Sequence, residues 1–217
     1  MDELQREQDL QRLAWVERLD PMCMTLIEGV DEDEVIRRFG GDPGETFALD
    51  VPGYWDLQPE GYQQLQAIVG VGTAGGVVFA IEENGYTGNV PGVLRSLSRE
   101  GRCLCVYTHV NAADNLTYAV GGELVVSEEP WGEPTPLRAG DSRWDPAWVR
   151  GLTDVEAEVW LRGARLFLAA ERVMGVRIES AWFTEPIRCA RIPDPDRYAG
   201  TSAWQLFPPP DDQEPSA

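Results

Sequence analysis

The residues that could do chemistry are few, and they crowd into the middle of the chain. Cys105, His109 and Asp114 form a Cys-His-Asp set in miniature: a thiol nucleophile, a base, and a carboxylate to orient it. Their spacing speaks against that use. The run 102–110 reads as a strand, and four strand residues span roughly 13 Å, too far for the Cys105 thiol to meet the His109 imidazole. His109 is the sole histidine, which excludes a multi-histidine zinc or iron site and leaves no other imidazole base. Buried thiols and a half-buried imidazole on a sheet account for the set without catalysis. Glu82-Glu83 and Glu128-Glu129 each close a strand. If those strand ends met, their carboxylates could serve acid–base chemistry or hold Mg²⁺; otherwise they are solvated ends that discourage edge pairing.

Gly70-Val71-Gly72-Thr73-Ala74-Gly75 matches G-x-G-x-x-G. A dinucleotide site needs a strand before that motif and a helix after it, so that the helix N-terminus meets the pyrophosphate. Here Val77-Val78-Phe79-Ala80-Ile81 follows, which is strand material. Residues 73–76 therefore read as a hairpin turn between strands 67–72 and 76–83. Asp31-Glu32-Asp33-Glu34 lacks the glycine and downstream glutamate of a calcium loop; it reads as a capped helix start, with Asp31 as cap and Glu34 at the capping-box position. No G-x-S-x-G, phosphate-loop or H-E-x-x-H motif occurs. No catalytic residue, metal ligand or cofactor is assigned.

The elements that would position these residues follow from periodicity and punctuation. Helices are expected over 3–19, from Asp31 to the Gly40-Gly41 stop, over 59–66, from Asn89-Val90-Pro91 to Gly101 with Asn89 as cap, and from the capping box Thr153-Asp154-Val155-Glu156 to Met174 before Gly175. Strands are expected over 22–28, 46–51, 67–72, 76–83, 102–110, 116–120 and 123–127, with short elements near 178–183 and 187–192. In 102–110 both parities are apolar, the mark of a strand covered on both faces. Gly121-Gly122 turns a second hairpin. Asn111 to Asn115 reads as a turn. Residues 130–146 read as loop, with Trp131 and Trp144 pinning it to the surface. The expected fold is α+β: one domain over 1–207 with a mainly antiparallel sheet flanked by helices, then a disordered Pro-rich acidic tail over 208–217.

The chain has 217 residues and a formal net charge of −19, with acid spread along its whole length. That field disfavours direct binding to nucleic acid or to an anionic membrane and speeds encounter with a basic partner. All 18 basic residues are arginine; scattered as they are, they compose no anion-binding motif. No secretory or transmembrane pattern is present. Cys23, Cys103, Cys105 and Cys189 form no C-x-x-C pair, and read as reduced thiols of a cytoplasmic protein.

A dispersed pattern adds to this reading. Trp15-Val16, Cys23-Met24-Thr25 leading to Gly29, Glu34-Val35-Ile36-Arg37-Arg38-Phe39-Gly40, Ala80-Ile81-Glu82-Glu83-Asn84-Gly85, Val106-Tyr107 with Val110-Asn111-Ala112, and Ala170-Glu171-Arg172 with Gly175-Val176-Arg177 are all present. In these the chain resembles an uncharacterised family, a domain of unknown function common in actinobacteria. The resemblance implies no activity, cofactor or catalytic residues, and it requires no histidine at position 109.

The function expected from these readings is binding rather than catalysis: an immunity or regulatory protein that meets a basic protein partner through its acidic surface. Expected binding residues are Glu82, Glu83, Asn84, Tyr86, Asn111 and Asp114, on the rim of the expected sheet. Two rivals stand beside it. A nucleic-acid mimic would need carboxylates ranged like phosphates on one face. A hydrolase or transferase would need Glu83, Glu129 or Asp114 to converge in a pocket.

Overall fold

The computed structural model describes residues 3–19, 21–58, 66–109, 114–128, 134–152 and 161–207. In chain order the elements are α1 (Glu3–Leu13), β1 (Met22–Ile27), α2 (Glu32–Arg38), β2 (Thr46–Leu49), β3 (Ile68–Ala74), β4 (Val77–Glu83), α3 (Pro91–Leu97), β5 (Arg102–Thr108), β6 (Asn115–Val120), β7 (Glu123–Glu128), α4 (Arg162–Met174), α5 (Ala181–Thr184) and β8 (Ile187–Arg191). Short 3₁₀ turns, among them Ala14–Arg18, Pro52–Leu57 and Pro195–Tyr198, link them. The fold is α+β. Among the described residues eight strands form one sheet in the order β2-β8-β3-β4-β1-β5-β6-β7, with every neighbouring pair antiparallel.

β1 lies at the centre because both of its faces are apolar. Met24 stands opposite Ile81 of β4 on one side and Val106 of β5 on the other. Met22, Met24 and Leu26 join Phe79, Ile81, Leu104 and Val106 in a core covered by α1 and α4. Cys23 and Ile27 join Val78, Ala80, Cys103 and Cys105 in a second core, covered by Val35 and Ile36 of α2 and Val93, Leu94 and Leu97 of α3. Since β4 and β5 are both antiparallel to β1, they run parallel to each other, and α3 carries the chain between them. A bulge at Tyr118/Ala119 on the β6–β7 pair sets Val125 and Val126 in the same core.

Packing explains the glycines of the G-x-G-x-x-G run. A Cβ on Gly72 would fall 2.4 Å from the Phe79 ring, which stacks on Trp182 of α5 with centroids 4.3 Å apart and planes 6° from parallel. A Cβ on Gly70 would meet Ile187 at 2.5 Å. Gly75 and Gly76 have φ of +58° and +83° and make the hairpin turn. The motif belongs to a β-hairpin and builds no phosphate cradle.

Asp31 caps α2 as expected, accepting from the Glu34 N–H at 2.8 Å, while the Glu34 carboxylate turns to Arg37 and Arg38 instead of closing a capping box. A second cap differs from expectation. Asn89 does not cap α3; its Oδ1 accepts from the Thr117 hydroxyl at 3.1 Å, and Val90 takes the cap position with no side-chain bond. Trp144 does pin its loop, and more deeply than a surface contact. It is buried in the first core, its indole N–H donating to the Pro134 carbonyl at 3.0 Å. β5 ends at Thr108, before the expected 110. The helix expected over 59–66, the turn at 111–115, Trp131, the capping box at 153–156 and the tail at 208–217 lie wholly or largely outside the described residues.

Candidate functional site

One rim of the sheet gathers the C-terminal ends of β4 and β5 and the N-terminal ends of β1 and β6. Met22 marks it, paired with Glu83 on one side and Thr108 on the other. The expected binding residues fall along this rim but divide between two depressions. Glu82, Glu83, Asn84 and Tyr86 line one, and Asp114 lines the other. Asn111 lies outside the described residues.

The first depression is built on the turn after β4. Asn84 takes a left-handed φ of +53°, and its N–H donates to Pro21. Glu82 folds back beneath the turn, where the N–H groups of Thr87 and Gly88 donate to its carboxylate at 2.9 and 2.8 Å. Burial pushes the Glu82 carboxyl up, and these bonds oppose it. Gly88 must be glycine, because a Cβ there would fall 2.3 Å from the Thr25 hydroxyl. Glu82 therefore holds the turn. It is 2% exposed, and its carboxylate is already engaged.

Above this base a cleft of about 140 Å³ opens between Tyr54, Glu83, Asn84, Tyr86, Asp194 and Asp196. Glu83 accepts from the Trp55 indole N–H at 3.1 Å, and Trp55 stands edge-on to Tyr54. The Tyr86 hydroxyl donates to Asp196, and its ring meets Trp204 edge-on. Asp194 accepts from the Asp196 N–H at 2.9 Å, which fixes the turn carrying both acids. Burial, then the charges of Glu83 and Glu82, pushes the Tyr54 phenol up to about 12. Burial and Asp196 raise Tyr86 as well. Among the described residues lining this cleft there is no cation. Carboxylates between aromatic walls suit a guanidinium or ammonium head.

The second depression, about 120 Å³, is lined by Val16, Glu17, Thr108, His109, Asp114, Arg162 and Gly163. Here charge is neutralised from within. Asp114, its side chain 1% exposed, is held by the Arg162 fork, with Nε at 3.0 Å. Its other oxygen accepts from the His109 backbone N–H at 3.2 Å. Glu17 accepts from the Ala164 N–H at 2.8 Å and so serves the first turn of α4. Cys105 is fully buried among other residues, its sulfur 3.4 Å from that of Cys23, so the miniature Cys-His-Asp set is not assembled.

The other arrangements raised by the sequence also fail to form. β4 and β7 have β1, β5 and β6 between them, so the Glu82-Glu83 end does not meet the Glu128 end. Glu128 accepts instead from Thr135 at 2.7 Å. Glu83 and Asp114 line different depressions, and Glu129 lies outside the described residues. Among the described residues no group of three or more His, Cys, Asp or Glu could hold a metal ion, and no helix is long and apolar enough to cross a membrane.

A family model described as a family of unknown function, DUF6461, matches residues 13–196. The chain belongs to that family. No curated protein and no solved structure matches it. The DUF6461 match spans both depressions and ends at Asp196, the last residue of the acidic cleft. Sequence reasoning overlooked Tyr54, Asp194 and Asp196 of that cleft, and Glu17 and Arg162 of its neighbour. Asp194-Pro195-Asp196 carried a signal, an acidic cap before proline. Nothing near Glu17 or Arg162 in the sequence points to Asp114.

Proposed function

We propose that this DUF6461 member is a binding protein without catalytic activity, and that it engages a basic segment of a protein partner through the cleft of Glu83, Asp194 and Asp196. One observation carries the reading: three carboxylates and the rings of Tyr54 and Tyr86 line one cleft into which no described cation projects. The cleft is sized for a single side-chain head, and the surrounding charge of −19 would steer a basic surface towards it. The mimic reading has less support. Carboxylates on several elements are matched to arginines, as in Glu28–Arg102, Glu100–Arg38, Asp33–Arg188 and Glu171–Arg12, rather than ranged along one face.

The test uses N-acetyl-arginine amide and an arginine-rich peptide as probes, followed through the Trp55 indole N–H resonance. Saturable shifts that weaken by about tenfold when Asp194→Asn and Asp196→Asn are combined are expected. Shifts untouched by that double variant would remove the cleft from the account.

A further inference from the structure

Three arginines from distant parts of the chain line a third cavity. Arg6 comes from α1, Arg172 from α4, and Arg150 from the loop before α4; Ala147, Trp148 and Gly151 complete the described lining. The cavity measures about 610 Å³, within the size range of small-molecule sites and several times either rim depression. The described lining thus brings together three of the chain's 18 basic residues.

The arrangement is braced. Arg172 donates to the carbonyls of Trp148 at 3.0 Å and Arg150 at 3.4 Å, and Arg6 donates to Gly151 at 3.5 Å. Both arginines thus hold the loop that carries the third. Trp148 is anchored edge-on against Trp144 and Tyr118, which fixes its ring as a wall of the cavity. Among the described acids nearby, Glu3 lies 3.5 Å from Arg6 on the exposed side, and Asp9 meets Arg12 at 3.7 Å and Gln5 at 3.2 Å. Burial, with Arg6 adding like-charge repulsion, holds Arg172 below its ordinary range while Asp9 opposes them. A bound oxyanion would relieve that repulsion, and guanidinium forks match phosphate oxygens in pairs.

We propose that this cavity binds a small phosphate ester with a planar aromatic body, of mononucleotide size, its phosphates held by Arg6, Arg150 and Arg172 and its ring against Trp148. The site is separate from the acidic cleft and independent of the function proposed for it.

The experiment titrates the full chain with ADP, pyrophosphate and adenosine, following the Trp148 indole resonance, assigned with Trp148→Phe. ADP is expected to bind saturably, pyrophosphate about tenfold more weakly, and adenosine not measurably. Arg150→Gln and Arg6→Gln should each weaken ADP by about tenfold and reduce its salt dependence. Arg150 is exposed and its side chain braces nothing described, so that variant will fold even if Arg172→Gln does not. The proposal is overturned if ADP gives no saturable shift at roughly 5 mM, if adenosine or pyrophosphate binds as tightly as ADP, or if neither exposed-side variant changes ADP affinity.

Discussion

Two depressions share one rim of the sheet and treat their carboxylates in opposite ways. Around Asp114 an arginine reaches in from α4, and the remaining acceptor atoms find backbone N–H groups. Around Glu83, Asp194 and Asp196 the walls are aromatic, and no described cation enters. The two depressions sit at the ends of β4 and β5, which flank the same central strand, so secondary structure does not separate them. What separates them is whether a cation arrives from the layer above. In a chain this acidic, carboxylates will gather on many surfaces by chance, and gathering alone says little. A gathering with no arginine among its described lining residues, beside a neighbour that has one, is more informative.

The largest expected effect falls on the neutralised depression. Arg162→Gln leaves Asp114 buried and uncompensated, and should cost about 3–5 kcal/mol in urea unfolding. Adding Asp114→Asn should recover much of that loss. A cost well below 1 kcal/mol would mean that the two depressions are not different in kind.

The base of the cleft should respond next. Glu82→Gln keeps one acceptor where two N–H groups now donate, at a cost of about 1–3 kcal/mol. The pH dependence has a defined sign. Burial raises the folded pKa of Glu82 above its unfolded value, so between those two values the folded state holds a proton that the unfolded state releases. Wild-type stability from this site therefore falls as pH rises through that window. Glutamine does not titrate, so the advantage of wild type over Glu82→Gln should be greatest on the acid side and shrink towards neutral pH. An advantage that grows with pH would contradict the buried carboxyl.

The walls of the cleft should tolerate change. Asn caps almost as well as Asp, so Asp194→Asn with Asp196→Asn should shift stability by under about 1 kcal/mol. A larger loss would recast both acids as structural, like Asp114. The smallest effect expected is at Asp141, which lies in neither depression. Hydrogen bonds from the Arg143 side chain and backbone hold the Asp141 carboxyl down at about 2. Its stabilisation is present above the unfolded pKa and lost as pH falls through that depressed value. Arg143→Gln should raise the carboxyl in an NMR titration and flatten the acid limb without touching either depression.

Much of the fold could be read from the sequence, because its signals are local. The Gly75-Gly76 turn, the Asp31 cap and the two apolar parities of β5 each depend on a few neighbouring residues. Asn89 was misleading because its side chain answers Thr117, a strand partner distant in sequence, rather than the helix it precedes. Trp144 reads as a loop anchor, but its depth in the core depends on Tyr118 of β6, distant in sequence. The cleft was half legible. Residues 82–86 form one contiguous turn, whereas Tyr54 and the acids at 194 and 196 arrive through tertiary packing. The arginine cavity was illegible, since each of its cations is a lone residue in its own segment.

The central claim is that charge in the acidic cleft, and not the net charge of the chain, selects a basic segment. It is tested most directly by comparing two double variants that remove equal charge. One is Asp194→Asn with Asp196→Asn in the cleft; the other is Glu7→Gln on α1 with Glu179→Gln after α4, at exposed positions that do not line the cleft. Affinity for the same arginine-rich peptide is measured at one fixed ionic strength. The account predicts a loss of about tenfold for the cleft pair and less than about twofold for the remote pair. Equal losses in the two would show that the peptide reads the overall field, and would contradict the claim.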